Sequence, residues 1–574
     1  MAKGIPAPAD AHHHPTPFSR VLTLVRLERE SIWVVVSYAV IVGLLALAVP
    51  VAVQSLVNTV SFGALVQPIV VLTLLVFAGL AFEGILLALK ARVVESIQER
   101  VFVRTAADVA YRLPRVHGAA FDGQHGPELV NHFFEVVTLQ KTASFLLLDG
   151  IGVVLQTGIG LILLAFYHPA LLAFDLVLVL AVLFVVVVLG RGATATTIAE
   201  SRAKYAVEAW LEELARHPIT FKSTGGAELA LDRVDSLCQS YLARRRDHFR
   251  ILFRQIVGVL AIYALASAAL LGLGGWLVLA RQLTLGQLVA AELVVGAVVA
   301  GIAKFGKHLE NYYDLLAAVE KLGHLAEMPL EDQGGHTPLI TGQPARLELR
   351  ELSVGYEAGS PVARELSMDI ASGERLALMG ENGAGASALM DTLFALRPAV
   401  GGVALLDGIP LNELDVQAMR SVISLVRDAE IFEGTVSENV RAGRASVDIS
   451  DVRWALATVG LDAETARLPA GIETSLATGG APLSGGQAAR LALARAIAGR
   501  PRLLLVDGIL DRLDARTRDL ASSAIFDPAA PWTLVIATRR EEVRALCGRC
   551  LRLDQDRPRQ DESSPGLLGE AALP

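Results

Sequence analysis

Six apolar stretches in the first half of the chain limit its fold more than any other feature. They run roughly over 33–57, 69–89, 143–166, 169–190, 255–280 and 285–303. Each is about long enough to cross a hydrocarbon layer of about 30 Å as a helix. Backbone groups inside a bilayer must satisfy one another, so these stretches predict a membrane domain that is all α. Pro50 and several glycines lie within them, and membrane helices tolerate both. The composition agrees, because 53% of the 574 residues are hydrophobic and only 19% are charged. Soluble chains of this size rarely look like that. The net charge of −8 argues against nucleic acid as a partner and leaves membrane lipid as the surrounding medium.

The connections give an orientation. Asn58 to Pro68 is short and contains no Lys or Arg, and the links after the third and fifth stretches are shorter still, little more than Tyr167 and His168 and then Arg281 to Thr284. The connections at about 90–142 and 191–254 are long and rich in Arg. Arg20, Arg26, Arg29, Arg191, Arg244, Arg245, Arg246, Arg254, Lys304 and Lys307 all fall on the side of the long connections. Positive charge gathers on the cytoplasmic side, so both termini are expected there, in an inner or plasma membrane. The long connections show helical apolar spacing, as in Tyr205 to Leu214. Spans two to five are therefore expected to continue as helices beyond the bilayer. Turn residues in Pro114 to Pro127 and His217 to Gly226 mark two tips. Glu83, Asp149, Asp175 and Glu292 lie within spans, where an acid faces a cavity or a neighbouring helix. Glu83 and Glu292 are the stronger cavity candidates.

The texture changes after about residue 325. Residues 326–345 read as a linker, 346–555 as an α/β domain of alternating strands and helices, and 556–574 as a polar tail. Residues 1–30 form an N-terminal tail and 31–325 the six-span domain. His12, His13 and His14 belong to a disordered stretch. Cys547 and Cys550 form a lone CxxC with no second ligand pair, so they read as ordinary residues beside a strand.

Arg375 to Met379 reads as a buried strand running into Gly380-Glu381-Asn382-Gly383-Ala384-Gly385-Ala386-Ser387. This is the glycine pattern of a phosphate loop, whose backbone N–H groups close on phosphate oxygens at a helix N-terminus. Ala386 stands where such loops carry lysine, and no Lys occurs after Lys321. A charge-assisted hydrogen bond is worth about 1.5–3 kcal/mol, so nucleotide binding weakens by about tenfold to a hundredfold.

Leu483-Ser484-Gly485-Gly486-Gln487 leads into a helix containing Ala494-Arg495-Ala496. With this signature the chain resembles the ABC transporter family, and its first half resembles the six-helix domain of type I exporters. The resemblance implies a membrane all-α exporter domain followed by an α/β P-loop ATPase domain, with two tips docking on ATPase domains. It assigns Leu503 to Asp507 to the Walker B strand, Asp514 to the D-loop and Tyr356 to an adenine-stacking position. Gly380, Gly383, Gly385, Ala386, Ser387 and Asp507 then form the nucleotide site, with Ser387 and Asp507 toward Mg2+.

Four positions depart from the family. Ala386 replaces the lysine and Gly508 the general base after Asp507. Arg427 replaces the Q-loop glutamine, and Thr538 the switch histidine before Arg539. Glycine offers nothing to orient a water. The resemblance implies a head-to-tail dimer in which ATP and Mg2+ lie between one phosphate loop and the partner's signature. Ser484, Gly485, Gly486 and Gln487 would then serve a nucleotide held by a second half-transporter. The expected function is a degenerate half of a dimeric exporter, with a heterodimer favoured over a homodimer. The alternatives are a transport-inactive scaffold, or an active homodimer with Arg427 or Arg539 on the phosphates. Neither arginine supplies a base.

Overall fold

Long apolar runs with few chain breakers fold as long helices here. The computed structural model describes residues 16–61, 66–122, 130–331, 334–338, 342–356, 360–381, 383–553 and 559–561. The histidine run, the end of the first tip at 123–127, parts of the linker, Asn382 and most of the C-terminal tail lie outside the described residues. Two compact units result: Met1–Pro114 with Gln124–Met328, and Arg115–Gly123 with Pro329–Pro574.

The first unit is helical. Its helices are α1 (Pro17–Leu27), α2 (Arg29–Leu45), α3 (Ala48–Ser61), α4 (Val66–Arg112), α5 (Glu135–Phe145) and α6 (Ile151–Tyr167). They continue as α7 (Pro169–Phe184), α8 (Ala193–Arg216), α9 (Gly226–Leu279), α10 (Leu285–Ala303) and α11 (Phe305–Ala326). Among the described residues, five helical segments are long and apolar enough to cross a membrane, and Leu285–Val298 is a shorter apolar one. The first span is not one helix. It breaks between α2 and α3, and Pro50 sits in the first turn of α3, where the missing N–H costs nothing. A π turn, Leu146–Gly150, joins α5 to α6. At 47 and 54 residues, α4 and α9 run well beyond the length a bilayer needs.

Phe77, Phe166, Leu176 and Leu265 point outward, while Leu164, Leu171, Leu270 and Leu277 fill the interior. An apolar exterior of this kind is what lipid solvates. The candidate acids sort unexpectedly. Glu292 is exposed on α10 and Glu83 half-buried. Asp175 is buried, with neither carboxylate oxygen bonded to a described residue. Lys90, also buried, donates from Nζ to the Leu148 carbonyl at 2.6 Å. Burial follows the helix face, which the hydropathy of a stretch does not reveal.

The second tip is a single helical turn, Pro218–Phe221, followed by Gly225 in the left-handed region at φ 81°. Trp210 braces it, meeting the Phe221 ring edge-on at 5.5 Å and donating from its indole to the Ala230 carbonyl. Ile219 at the turn is 86% exposed.

The second unit is α/β. An antiparallel sheet contains β1 (Leu347–Val354), β2 (Ala363–Ile370), β4 (Gly401–Leu406) and β5 (Ile409–Pro410), in the order β2-β1-β4-β5. The main sheet contains β3 (Arg375–Gly380), β6 (Ile423–Val426), β7 (Leu503–Asp507), β8 (Thr533–Ala537), β9 (Arg549–Leu553) and β10 (Arg559–Asp561). Its order is β10-β9-β3-β8-β7-β6, parallel except for β10. Strands β7 and β8 are buried along their whole length, as parallel strands covered on both faces must be. The main helices are α12 (Ala386–Leu393), α13 (Val416–Val422), α14 (Val436–Arg441), α15 (Ile449–Thr458), α16 (Gly485–Ala498) and α17 (Ala515–Ile525).

The described part of the first tip belongs to this second unit. His117 N–H donates to the Pro329 carbonyl at 2.9 Å, and Glu331 N–H to the Arg115 carbonyl at 2.8 Å. A Cβ at Gly118 would lie 2.7 Å from the Leu396 carbonyl oxygen, so only glycine allows this approach. The segment read as a linker is packed in part: Glu331 pairs with Arg420 and His336 bridges to Leu414.

Candidate functional site

Parallel α/β sheets gather ligand-binding groups at the carboxyl ends of their strands. Register alone does this here. Ala537 lies opposite both Leu378 and Asp507, and Val426 opposite Val506. Gly380, Asp507, Thr538 and Arg427 therefore collect along one edge.

The phosphate loop keeps its backbone form. Gly383 and Gly385 adopt φ of 90° and 96°. A Cβ at Gly385 would press on Ala363, and one at Gly380 would lie 2.8 Å from the Leu553 carbonyl oxygen. Helix α12 then starts at Ala386, so its first N–H groups stay available to an anion. Ala386 stands there without a cationic side chain.

Arg427 fills the space beside it. Its Nε donates to Asp507 Oδ2 at 2.6 Å, and its Nη2 to Asp391 Oδ1 at 2.7 Å and to the Ser387 carbonyl at 3.3 Å. Burial works against its charge, but the two carboxylates outweigh that and hold the guanidinium above its usual range. Asp391 is itself buried and also lies 3.4 Å from Arg397 Nε. Arg397 extends the network two ways. It grips Asp122 of the first tip through both terminal nitrogens at 2.6 Å, and its guanidinium sits 4.9 Å from the centre of the Tyr356 ring. Tyr356 is half exposed, as a stacking platform needs to be.

The water-handling positions are blank or occupied. Gly508 is left-handed at φ 68°, with open space where a side chain would project. Thr538 is buried, donates its hydroxyl to Asp511 Oδ1 at 2.5 Å and accepts from Arg540 N–H at 3.1 Å. Arg539 N–H donates to the other oxygen of Asp511 at 2.9 Å, while the Arg539 side chain is 70% exposed. Asp514 caps α17 by accepting from Thr517 N–H at 3.1 Å.

The signature is built differently, with its helix start capped from both sides. Ser484 caps α16: its Oγ accepts from Gln487 N–H at 3.3 Å, and Gln487 Oε1 accepts from Ser484 N–H at 2.8 Å. This reciprocal box fixes the helix start. Glu464 holds it from behind, accepting from Gln487 Nε2 at 2.6 Å and from Arg490 at 2.7 Å and 2.8 Å. Ser484 keeps its hydroxyl proton, and nothing lies within 4 Å of a Cβ built on Gly485. The N-terminus of α16 is thus open to an anion from outside the chain.

Comparisons with known proteins bear on these two arrangements. A family model described as ABC transporter matches residues 363–510, and one described as ABC transporter transmembrane region matches 32–299. This chain belongs to the ABC transporter family. Among its curated relatives, a multidrug efflux ATP-binding/permease protein of Mycobacterium bovis is 30% identical over 320 residues. That match covers 56% of this chain and 26% of the relative. A fatty acid ABC transporter ATP-binding/permease protein of Mycobacterium tuberculosis is 25% identical over 463 residues, covering 79% and 72%. An ATP-dependent lipid A-core flippase of Paraburkholderia xenovorans is 31% identical over 263 residues, covering 45% and 44%. The match thus takes in about a quarter of the first of these relatives. A solved bacterial Atm1-family ABC exporter with ATP bound has the same fold, at TM-score 0.82 and 22% identity over 93% of this chain and 94% of that one.

This ABC transporter carries an ATPase domain whose family implies Mg2+ beside Ser387 and Asp507. The side chains as they stand do not fit that ion. The Asp507 carboxylate is engaged by Arg427, and a dication there would face a partly buried guanidinium. Asp391, Asp511 and Glu464 belong to no motif visible in the sequence. Asp391 reads as an ordinary residue inside a helix, and only its burial exposes its role. In this ABC transporter, Ala386→Lys restores a cation at the start of α12. ATP affinity, followed by calorimetric titration, is expected to rise about tenfold to a hundredfold.

Proposed function

We propose that this chain is the non-hydrolysing half of a dimeric ABC exporter and presents its signature to ATP held by an intact partner. One contrast carries the reading. Arg427 and Asp511 tie up the hydrolytic side, while Ser484 to Gln487 are capped, buttressed and open. In a homodimer both sites would lack the base after Asp507, so a heterodimer fits the chemistry better. Within such a pair the Ser484 hydroxyl and the first N–H groups of α16 meet the partner's γ-phosphate. Ile219, exposed on the second tip, is an apolar surface suited to a partner's ATPase domain.

The substrate class follows from the helical unit. Val36, Ile151, Val154, Leu155, His308 and Tyr312 line a cavity of about 510 Å³ that is apolar but for the histidine and the phenol. Such a wall suits an amphiphile. The efflux, fatty acid and lipid A-core names of its relatives are consistent with that class. Both termini and the ATPase domain are assigned to the cytoplasm by the arginine-rich side of the spans.

The test is hydrolysis by the full chain in lipid nanodiscs, alone and co-assembled with an intact half-transporter. The chain alone is expected to show no magnesium-dependent ATPase activity above background, and the pair to show it. Robust hydrolysis by this chain alone overturns the proposal.

A further inference from the structure

We infer that Arg427 stands in for the metal ion, so that this chain's own phosphate loop holds a nucleoside triphosphate free of divalent cation. The inference goes beyond the loss of hydrolysis: it concerns what the site still binds, and it rests on the reading that this site does not turn ATP over.

The two groups expected to reach a metal are Ser387 and Asp507. Both lie against Arg427, Asp507 through its carboxylate and Ser387 through its carbonyl. One guanidinium also spans Asp391, so a single side chain neutralises two acids on two different elements. Arg397 completes the charge balance from the far side of Asp391. A dication arriving with the nucleotide would find its carboxylate taken and a fixed positive charge beside it. Like charges in a partly buried site repel strongly.

The frame for phosphate meanwhile survives. Gly383 and Gly385 keep their left-handed conformations, and α12 begins directly after them with its first N–H groups available. Arg427 places a guanidinium beside the loop, and a guanidinium N–H donates a charge-assisted hydrogen bond to a phosphate oxygen. Its Nε and Nη2 face the protein, and Nη1 makes no hydrogen bond to a described residue. About a third of the side chain remains exposed, so the outer edge of the guanidinium is open to a ligand. The arrangement replaces a soluble ion with a tethered one.

The experiment uses the full chain in nanodiscs and trinitrophenyl-ATP, displaced by unlabelled ATP, in excess EDTA or in magnesium. The two apparent Kd values are expected to agree within about threefold. Manganese titrated in the presence of ATP is expected to give no bound signal by electron paramagnetic resonance. Arg427→Gln, in which Arg397 still holds Asp391, should bind manganese with ATP and lose about tenfold affinity in EDTA. Binding by the unaltered chain that disappears in EDTA overturns the inference. So does the absence of binding under either condition, and so does an Arg427→Gln chain indifferent to metal. Metal-dependent binding without hydrolysis would sink this inference alone and leave the non-hydrolysing reading standing, whereas turnover by the isolated chain would sink that reading.

Discussion

Gly485→Asp in this chain is expected to cut ATP hydrolysis of the complex with an intact half by about a hundredfold or more. The substitution is physically mild for the chain that carries it. Nothing lies within 4 Å of a Cβ at Gly485, so the new side chain meets no clash. Its carboxylate instead lands at the N-terminus of α16, among the N–H groups that would otherwise face phosphate. An anion already seated there repels the γ-phosphate of the partner's ATP. The control is the matching glycine in the partner's signature, which on the proposed reading faces this chain's own site. Changing that residue should alter the rate little. Steady-state ATPase assays on the two single variants decide the matter, and equal effects would mean that the two sites share the work.

The second large effect concerns folding. Arg420→Ala is expected to destabilise the ATPase domain by about 3–5 kcal/mol. Arg420 grips Glu331 through both terminal nitrogens at 2.7 Å, and both side chains are largely buried. It also donates to the carbonyls of Phe394 and Ala395. Truncation leaves the Glu331 carboxylate buried without its partner, together with two carbonyls in need of donors. Domains are stable by only about 5–15 kcal/mol, so the loss is a large share. For a domain of this size the melting temperature should fall by roughly 10 °C. Thermal unfolding of the full chain, followed at the ATPase-domain transition, measures it. A shift of only a degree or two would mean that water replaces the pair at little cost.

These two sites differ in how far the sequence revealed them. The signature was legible because its five residues act through backbone and helix start, and both are local. The phosphate loop was legible for the same reason, since Gly383 and Gly385 mark left-handed turns in any fold. The membrane helices were legible as hydropathy, though not the break between α2 and α3, where Pro50 in the first turn of α3 is the one local mark and membrane helices tolerate proline without breaking. Arg427 was visible only as a missing glutamine. Its partners Asp391 and Asp507 lie 36 and 80 positions away in the chain; the parallel register of β6 against β7 brings up Asp507, and the packing of α12 brings up Asp391. Glu464 was hidden likewise, 26 residues before the Arg490 it pairs with. The packing of the first tip with the ATPase domain depends on Asp122 meeting Arg397 across 275 residues, and no local pattern encodes that.

The bond from Thr538 to Asp511 bears on this chain's history. A histidine returning to position 538 would find its neighbour Arg539 anchored to Asp511 through the backbone. A glutamate returning to position 508 would stand beside an Asp507 still held by Arg427. Neither substitution by itself is expected to restore hydrolysis, because each leaves the other contact in place. On the proposed reading, any repair of this site has to change Arg427 together with position 508, because one contact holds the other in place.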